Sequence, residues 1–398
     1  MARKGLKFDL WLCLGVLGLV GLGVVLIYSS SAAYAEAKGL PESFYLIRHS
    51  KKVLLGFIAF LIGLTIPYKF WERMALPLAV GAAGLLFFLA VSGMGRVHGA
   101  RRWIQFASIG LQPSELAKLA LVFYLARRLC EKEAEIHLFR RGLLATLPLA
   151  LILFVLILKQ PNYSTAATVF SITVALVYLA GCRVSHLLFL GAVSVPVLAG
   201  LLFSSAYRMR RVLAFLNPDA NPASSYQSLQ ALISLGNGGL LGTGLGSSTQ
   251  KLGYLPMPFT DMVFSILGEE LGVVGTSGVL LLFAFVVWRG LRIAFQCQDR
   301  FGSLVAGGLT VSLAVNVVMH VGVCVKLFPT TGQTLPFISY GGTSLITNLF
   351  AMGVLLNISG STMAVPSVPK ASKVRISTSR SRGVLAPIRI RPVLGGRA

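Results

Sequence analysis

Asp261 is the carboxylate in this sequence best placed for acid–base chemistry. It follows Thr260 at the start of an apolar run, where partial desolvation raises a carboxyl pKa toward the range a general base needs to take a proton from a hydroxyl. The same position suits a helix N-cap, and the two readings stand side by side. Cations that could hold an anion come in short strings: Arg101 and Arg102, then Arg208, Arg210 and Arg211, then Lys251. Headgroup contacts or local ion pairs are the plain alternatives for these. Glu115 and Lys118 stand three residues apart, so on a helix they face each other. Glu269 and Glu270 sit inside an apolar run, where ionisable groups are costly and turn toward the protein interior. Asp219 lies in a Pro-rich turn that favours capping. The remaining carboxylates fall in the first outer loop (Glu36, Glu42) or on the opposite face (Asp9, Glu72, Glu131, Glu133, Glu135, Asp299). His320, one turn after Asn316, reads first as an interhelical hydrogen bond and second as a relay.

The elements that must position these groups are membrane helices. The 398 residues are 55% hydrophobic and 12% charged, with mean hydropathy +0.77, which excludes an ordinary soluble domain. Apolar runs recur at 10–27, 53–67, 74–91, 113–125, 143–158, 165–179, 187–203, 262–287, 302–325 and 343–356. Amides in hydrocarbon must be paired within the segment, and the runs lack the alternation of barrel strands, so the expected fold is all-α, with about ten spans. The first run reads as a span rather than a signal peptide. The sequence divides into a membrane domain, 1–358, and a tail, 359–398, expected to be disordered. Lys370, Lys373, Arg375, Arg380, Arg382, Arg389, Arg391 and Arg397 make that tail basic, which places both termini in the cytoplasm. Anionic headgroups are its expected partner, and nothing points to nucleic acid. Cys13, Cys130, Cys182, Cys297 and Cys324 show neither disulfide nor zinc spacing.

The predicted topology leaves one long outer loop, about 205–261, between spans seven and eight, and long ordered loops are usually functional. Gly242, Gly244 and Gly246 have the wrong spacing for a nucleotide fingerprint, so the Gly-rich stretch 236–246 is expected to make turns and close backbone approaches. The outer side also carries Lys38, Arg48, Lys51, Lys52, Arg96, Lys159 and Lys326 besides the cations above. This is more than the positive-inside rule predicts and suggests that something anionic is held there.

Several strings resemble one family: Gly99-Ala100-Arg101-Arg102-Trp103-Ile104, Gln112-Pro113-Ser114-Glu115-Leu116-Ala117-Lys118, Gln250-Lys251-Leu252-Gly253-Tyr254-Leu255-Pro256, Thr260-Asp261 with Gly268-Glu269-Glu270-Leu271-Gly272, and Leu335-Pro336-Phe337-Ile338-Ser339-Tyr340-Gly341-Gly342. They resemble the SEDS proteins (shape, elongation, division and sporulation), which include FtsW, RodA and SpoVE, and stand closer to the FtsW pattern. The resemblance runs over nearly the whole chain. It implies a bacterial inner-membrane glycosyltransferase that polymerises lipid II into peptidoglycan on the outer face, with division at the septum as the expected setting. It also implies a class B penicillin-binding protein as partner, alongside other division proteins. The family's catalytic aspartate matches Asp261, and its buried Glu and Lys match Glu115 and Lys118. Where the family often reads Pro-Glu-x-His-Thr-Asp, this chain reads Pro256-Met257-Pro258-Phe259-Thr260-Asp261. Asn162 and Ser164 likewise stand in a string that often reads Pro-Asp-x-Gly-Thr.

Under that resemblance Arg101, Arg102, Arg208, Arg210, Arg211 and Lys251 are expected to hold a lipid-linked diphosphate, and a divalent cation, magnesium or manganese, is a further candidate. Asp261 would deprotonate the acceptor hydroxyl for inverting attack at the anomeric carbon. Glu115, Lys118, Glu269, Glu270, Pro336, Ser339, Gly341 and Gly342 are expected to shape the cavity. Two other functions remain open, a flippase for the same lipid and a scaffold that recruits a transpeptidase. The sequence shows no paired repeats of the kind many transporters carry.

Overall fold

The computed structural model describes residues 8–363, apart from 93–95, 98–99, 102, 107–108, 161, 204–205 and 220–221. The chain begins with α1 (Leu10–Glu36), α2 (Phe44–Thr65) and α3 (Tyr68–Ser92), and two small antiparallel hairpins follow, β1 (Arg96–Val97) with β2 (Ala100–Arg101) and β3 (Ile104–Phe106) with β4 (Ile109–Leu111). Then come α4 (Pro113–Glu131), the single turn α5 (Leu144–Thr146), α6 (Pro148–Lys159), α7 (Tyr163–Leu179) and α8 (Val184–Phe203). The long segment after α8 contributes α9 (Ala206–Leu216) and α10 (Pro222–Asn237), and α11 (Val263–Gln296), α12 (Arg300–Cys324) and α13 (Gly342–Met363) complete the bundle.

Nine of the ten apolar runs fall on one helix each, to within two residues at their ends, and 143–158 falls across a bent helical pair. Among the described residues five helices are long and apolar enough to cross a bilayer: α1, α3, α11, α12 and α13. A sixth candidate, the pair Phe139–Thr146 and Pro148–Lys159, is bent by 44°. α2 and α4 miss that standard because of their charges: Arg48, Lys51 and Lys52 in the first, and Glu115, Lys118, Arg127 and Arg128 in the second. α13 runs through Met363, beyond the 1–358 boundary read from the sequence, and residues 364–398 of the basic tail lie outside the described residues.

α4 occupies the interior, packed by α3, α6, α7, α12 and α13, and most of it from Pro113 to Leu129 is buried. α2 and α13 approach so closely that a Cβ on Gly63 would lie 2.9 Å from the Val354 amide nitrogen, the small-residue packing that membrane helices use where apolar burial gives no drive. Leu54, Phe57, Phe87, Leu188 and Leu281 form part of the exposed apolar belt that faces lipid. Where α1 begins, Asp9 caps it through Leu12 N, accepts a hydrogen bond from Arg289 Nε (3.0 Å) and donates its own N–H to Ser359 Oγ, tying α1, α11 and α13 together.

α11 is broken near its N-terminal end. Gly272 adopts φ 65°, ψ −165°, so the helical ladder is interrupted one residue after Leu271. The Gly-rich loop supplies the missing partners: Val273 N donates to Gly239 O (3.0 Å), Val274 N to Leu240 O (3.1 Å), Thr243 N to Glu269 O (2.9 Å) and Gly244 N to Glu270 O (3.0 Å). A Cβ on Gly272 would collide with the backbone of Leu240 and Gly242, which is why the sequence is glycine on both sides of this contact.

Candidate active site

The loop that leads into α11 carries Asp261, which is half-buried. Thr260 Oγ1 donates to Asp261 Oδ1 (3.0 Å), and Gln227 Nε2, carried in by α10, lies 3.3 Å from both carboxylate oxygens. α11 begins at Val263, and its N-cap, Met262, makes no side-chain capping bond. The carboxylate is therefore spent on Thr260 and Gln227 rather than on the helix end. Burial pushes the Asp261 carboxyl above its usual range, opposed by the hydrogen bonds from Thr260 and Gln227 and by the charge of Arg211. Arg211 of α9 donates from Nη1 to Thr330 O (2.7 Å), and Gly332 of the same loop comes within 3.9 Å of Asp261 Oδ2, measured from a Cβ placed on it.

That loop, between α12 and α13, also roofs a polar cavity of about 70 Å³. Glu115 and Lys118 line it, together with Trp103, Gln112, Asn162, Thr165, Asn316, Gly332, Gln333, Thr334, Gly341 and Ser344. Gly332 therefore belongs to both the cavity wall and the surroundings of Asp261. Glu115 Oε1 and Lys118 Nζ pair at 2.9 Å with both side chains under a tenth exposed, and Lys118 also reaches Asn316 Oδ1 (3.4 Å). Glu115 Oε2 is buried without a partner. Asn316 Oδ1 accepts from Thr168 Oγ1 (3.4 Å), Gln333 Nε2 donates to Thr168 (3.4 Å), and His320 Nδ1 lies 2.9 Å from Gln333 O. A polar thread thus joins α4, α7 and α12 to the roof loop. An apolar groove of about 530 Å³, lined by α2, α3, α4 and α13, shares Leu119 and Thr347 with a small opening beside Glu115 and Lys118.

Glu269 and Glu270 do a different job. Glu269 accepts from Ser234 Oγ (2.9 Å), Ser248 Oγ (2.6 Å), Thr249 N (3.0 Å) and Thr249 Oγ1 (2.8 Å). Glu270 accepts from Ser29 Oγ of α1 (2.6 Å) and pairs with Lys251 (3.1 Å). Two wholly buried carboxylates thereby fasten residues 234–251 to the broken helix. On the far side, Pro336 and Ser339 make a buried turn in which Ser339 Oγ accepts from Leu335 N (2.8 Å), and α1 packs so near that a Cβ on Gly23 would lie 2.8 Å from Ile338 Cα.

The model of the FtsW, RodA and SpoVE family, described as cell cycle protein, matches residues 10–364. The chain belongs to this family. Among its relatives a probable peptidoglycan glycosyltransferase FtsW of Trichlorobacter lovleyi is 39% identical over 92% of this chain and 97% of the relative. The stage V sporulation protein E of Bacillus subtilis is 40% identical over 90% and 99%. Among solved structures, a chain of a peptidoglycan synthase complex described as coordinating polymerisation and crosslinking is similar with TM-score 0.74 and 28% identity, over 90% of this chain and 99% of that one. The rod shape determining protein RodA of Thermus thermophilus is similar with TM-score 0.66 and 29% identity, over 90% and 98%.

Of the residues singled out in the sequence of this family member, Asp261 and Arg211 come together, and Glu115, Lys118 and Gly341 line the adjoining cavity. Gly342 is buried beside Gly341 and opens α13. Lys251 does not join them. Its ammonium donates to Glu270 Oε1, Gly246 O (2.6 Å) and Ser29 Oγ (3.4 Å), which uses all three N–H groups. Arg210 is exposed on α9; Arg102 and the side chains of Arg101 and Arg208 lie outside the described residues. No group of three or more His, Cys, Asp or Glu forms a metal cage among the described residues; magnesium is commonly held by one or two carboxylates and the substrate's phosphates. Phe259, standing where the family often has His, is buried in an aromatic cluster with Tyr34 (5.4 Å), Tyr45 (4.8 Å) and Tyr340 (5.5 Å). Asn162 donates to Ser114 Oγ (3.2 Å) and accepts from Thr165 Oγ1 (2.9 Å), a neutral wall for the cavity. Gln227, Thr330 and Gln333 carry no signal in the sequence, because single amides and hydroxyls have no spacing pattern.

Proposed function

We propose that this protein polymerises lipid II into glycan strands on the outer face of the bacterial inner membrane, both termini being cytoplasmic, with Asp261 as general base. The observation that carries this reading is one carboxylate, raised by burial yet still hydrogen-bonded in its charged form, beside a polar cavity that adjoins an apolar groove. The names of the relatives support the reaction class. A lipid-linked sugar diphosphate has a polar head and a polyprenyl chain, and the cavity and groove offer one environment for each. Asp261 takes the proton of the acceptor hydroxyl as that oxygen attacks the anomeric carbon. The bond to the diphosphate breaks on the opposite face, and the configuration inverts. Arg211, together with Arg101, Arg102, Arg208 and Arg210, supplies positive charge for the departing diphosphate. A divalent cation bound by the diphosphate would add to that charge. Septal cell division is the proposed setting, with a class B penicillin-binding protein as partner; the synthase complex among the similar structures supports the pairing.

The test is a gel assay of lipid II polymerisation by the purified protein with its transpeptidase, wild type against Asp261→Asn. Removal of the base is expected to lower the rate by a factor of about 10² or more, with partner binding retained. Full activity of the variant refutes the assignment. The buried pair Glu115–Lys118 would also serve a translocation path. A folded wild-type complex that moves labelled lipid II across vesicles without polymerising it decides for the flippase.

A further inference from the structure

Arg48, Lys51 and Lys52 give the first turns of α2 three cations. Arg48 and Lys51 are exposed, whereas Lys52 is half-buried and turns inward. Its Nζ lies 3.4 Å from the centroid of the Tyr340 ring, and its Cδ and Cε pack 3.5 Å from a Cβ placed on Gly342. No carboxylate lies within ion-pair distance of Lys52 among the described residues, while the buried cations Lys118, Lys251 and Arg289 each have one. The ring face offsets part of the desolvation but accepts no hydrogen bond of ordinary strength, and among the described residues no other acceptor takes a hydrogen bond from the ammonium. Arg48 stands four residues earlier on the same face, a like-charge placement that disfavours the helix until an anion lies between them. His49, three residues before Lys52, is fully buried with both ring nitrogens unpartnered, 6.0 Å from Tyr340.

The residue under Lys52 adjoins the site through its backbone. Tyr340 N donates to Phe259 O (2.9 Å), two residues before Asp261, and Gly341 lines the polar cavity. We infer that Lys52, seated on Tyr340 at the edge of that cavity, binds the phosphate of a lipid. The inference rests on the proposed reading of the substrate as a lipid diphosphate, although glycerophospholipid headgroups carry the same chemistry. A phosphate there gains a charge-assisted hydrogen bond from Lys52 and separates Lys52 from Arg48.

The full-length protein in detergent is titrated with undecaprenyl diphosphate and, separately, with phosphatidylglycerol, and binding is read by native mass spectrometry. Lys52→Met keeps the stem and removes the charge; Lys52→Arg restores a cation. Loss of the charged contact is expected to weaken undecaprenyl diphosphate binding by about tenfold or more in Lys52→Met, with recovery in Lys52→Arg. Unchanged phosphatidylglycerol binding then assigns the site to the substrate. Equal loss of both lipids assigns it to headgroups and keeps the phosphate site. Unchanged binding of both lipids by a Lys52→Met protein with the wild-type melting temperature overturns the inference. A wild type that binds undecaprenyl diphosphate through Lys52 yet makes no glycan would overturn the proposed function and leave this site standing.

Discussion

Burial raises the pKa of Asp261, and Thr260, Gln227 and Arg211 pull it down, so the balance is open to single substitutions. A base works only when deprotonated. The acid limb of the rate profile is therefore expected above the ordinary carboxylate range, and Gln227→Leu, which removes a donor that favours the charged form, should move it to higher pH. The pH dependence of kcat/KM in both proteins reads this, and an unchanged limb in Gln227→Leu refutes it. Stability follows by linkage. A group whose folded pKa is raised contributes stability that is present below its unfolded pKa and lost as pH rises through the folded value. At neutral pH the charged carboxylate is thus a burden on the fold, and Asp261→Asn should melt at or above the wild-type temperature, with the advantage fading in acid. A clearly lower melting temperature at neutral pH would count against this electrostatic account.

At the scale of the element, the break in α11 and the Gly-rich loop form one unit. The loop satisfies the amides freed at Gly272, and Glu269 gathers four hydrogen bonds from Ser234, Ser248 and Thr249. Glu269→Ala strands those donors in a buried site at a cost of about 1–3 kcal/mol for each group left unsatisfied. The expected result is faster proteolytic nicking within 238–251 and a lower melting temperature, while Glu36→Ala, an exposed change, leaves both alone. Equal nicking rates in wild type and Glu269→Ala would refute the anchoring role. Gly272→Ala should behave like Glu269→Ala, because its Cβ meets backbone rather than a movable side chain.

For the whole molecule the buried pair Glu115–Lys118 links the stability of the bundle to the shape of the cavity. Removing one partner leaves an uncompensated charge, costing about 3–5 kcal/mol, whereas replacing both by apolar residues of similar volume is often neutral. Glu115→Leu alone should therefore lower expression and melting temperature, and Glu115→Leu with Lys118→Met should recover them. Polymerisation stays lost in the double variant if the pair shapes the substrate's polar surroundings. Recovery of both stability and activity would reduce the pair to a structural role.

Much of this was legible in the residues themselves. The apolar runs fixed helices in their places, because hydrocarbon leaves an amide no partner outside its own segment. Spacing alone put Glu115 opposite Lys118, and elimination of the other carboxylates left Asp261. The glycines of 236–246 announced close backbone approach but not what they approached. Tertiary structure alone decided which cations are spent. Lys251 and Arg211 look equivalent in the sequence, yet one is consumed by Glu270 while the other lies near enough to Asp261 to act on its charge. It also placed Gln227 on Asp261, Gln333 in the cavity wall and Lys52 on the ring of Tyr340. The reason is physical: helix period and hydropathy are local properties, written in neighbours along the chain. A hydrogen bond between residues 34 or 241 positions apart depends on how packed helices meet, and no local pattern encodes it.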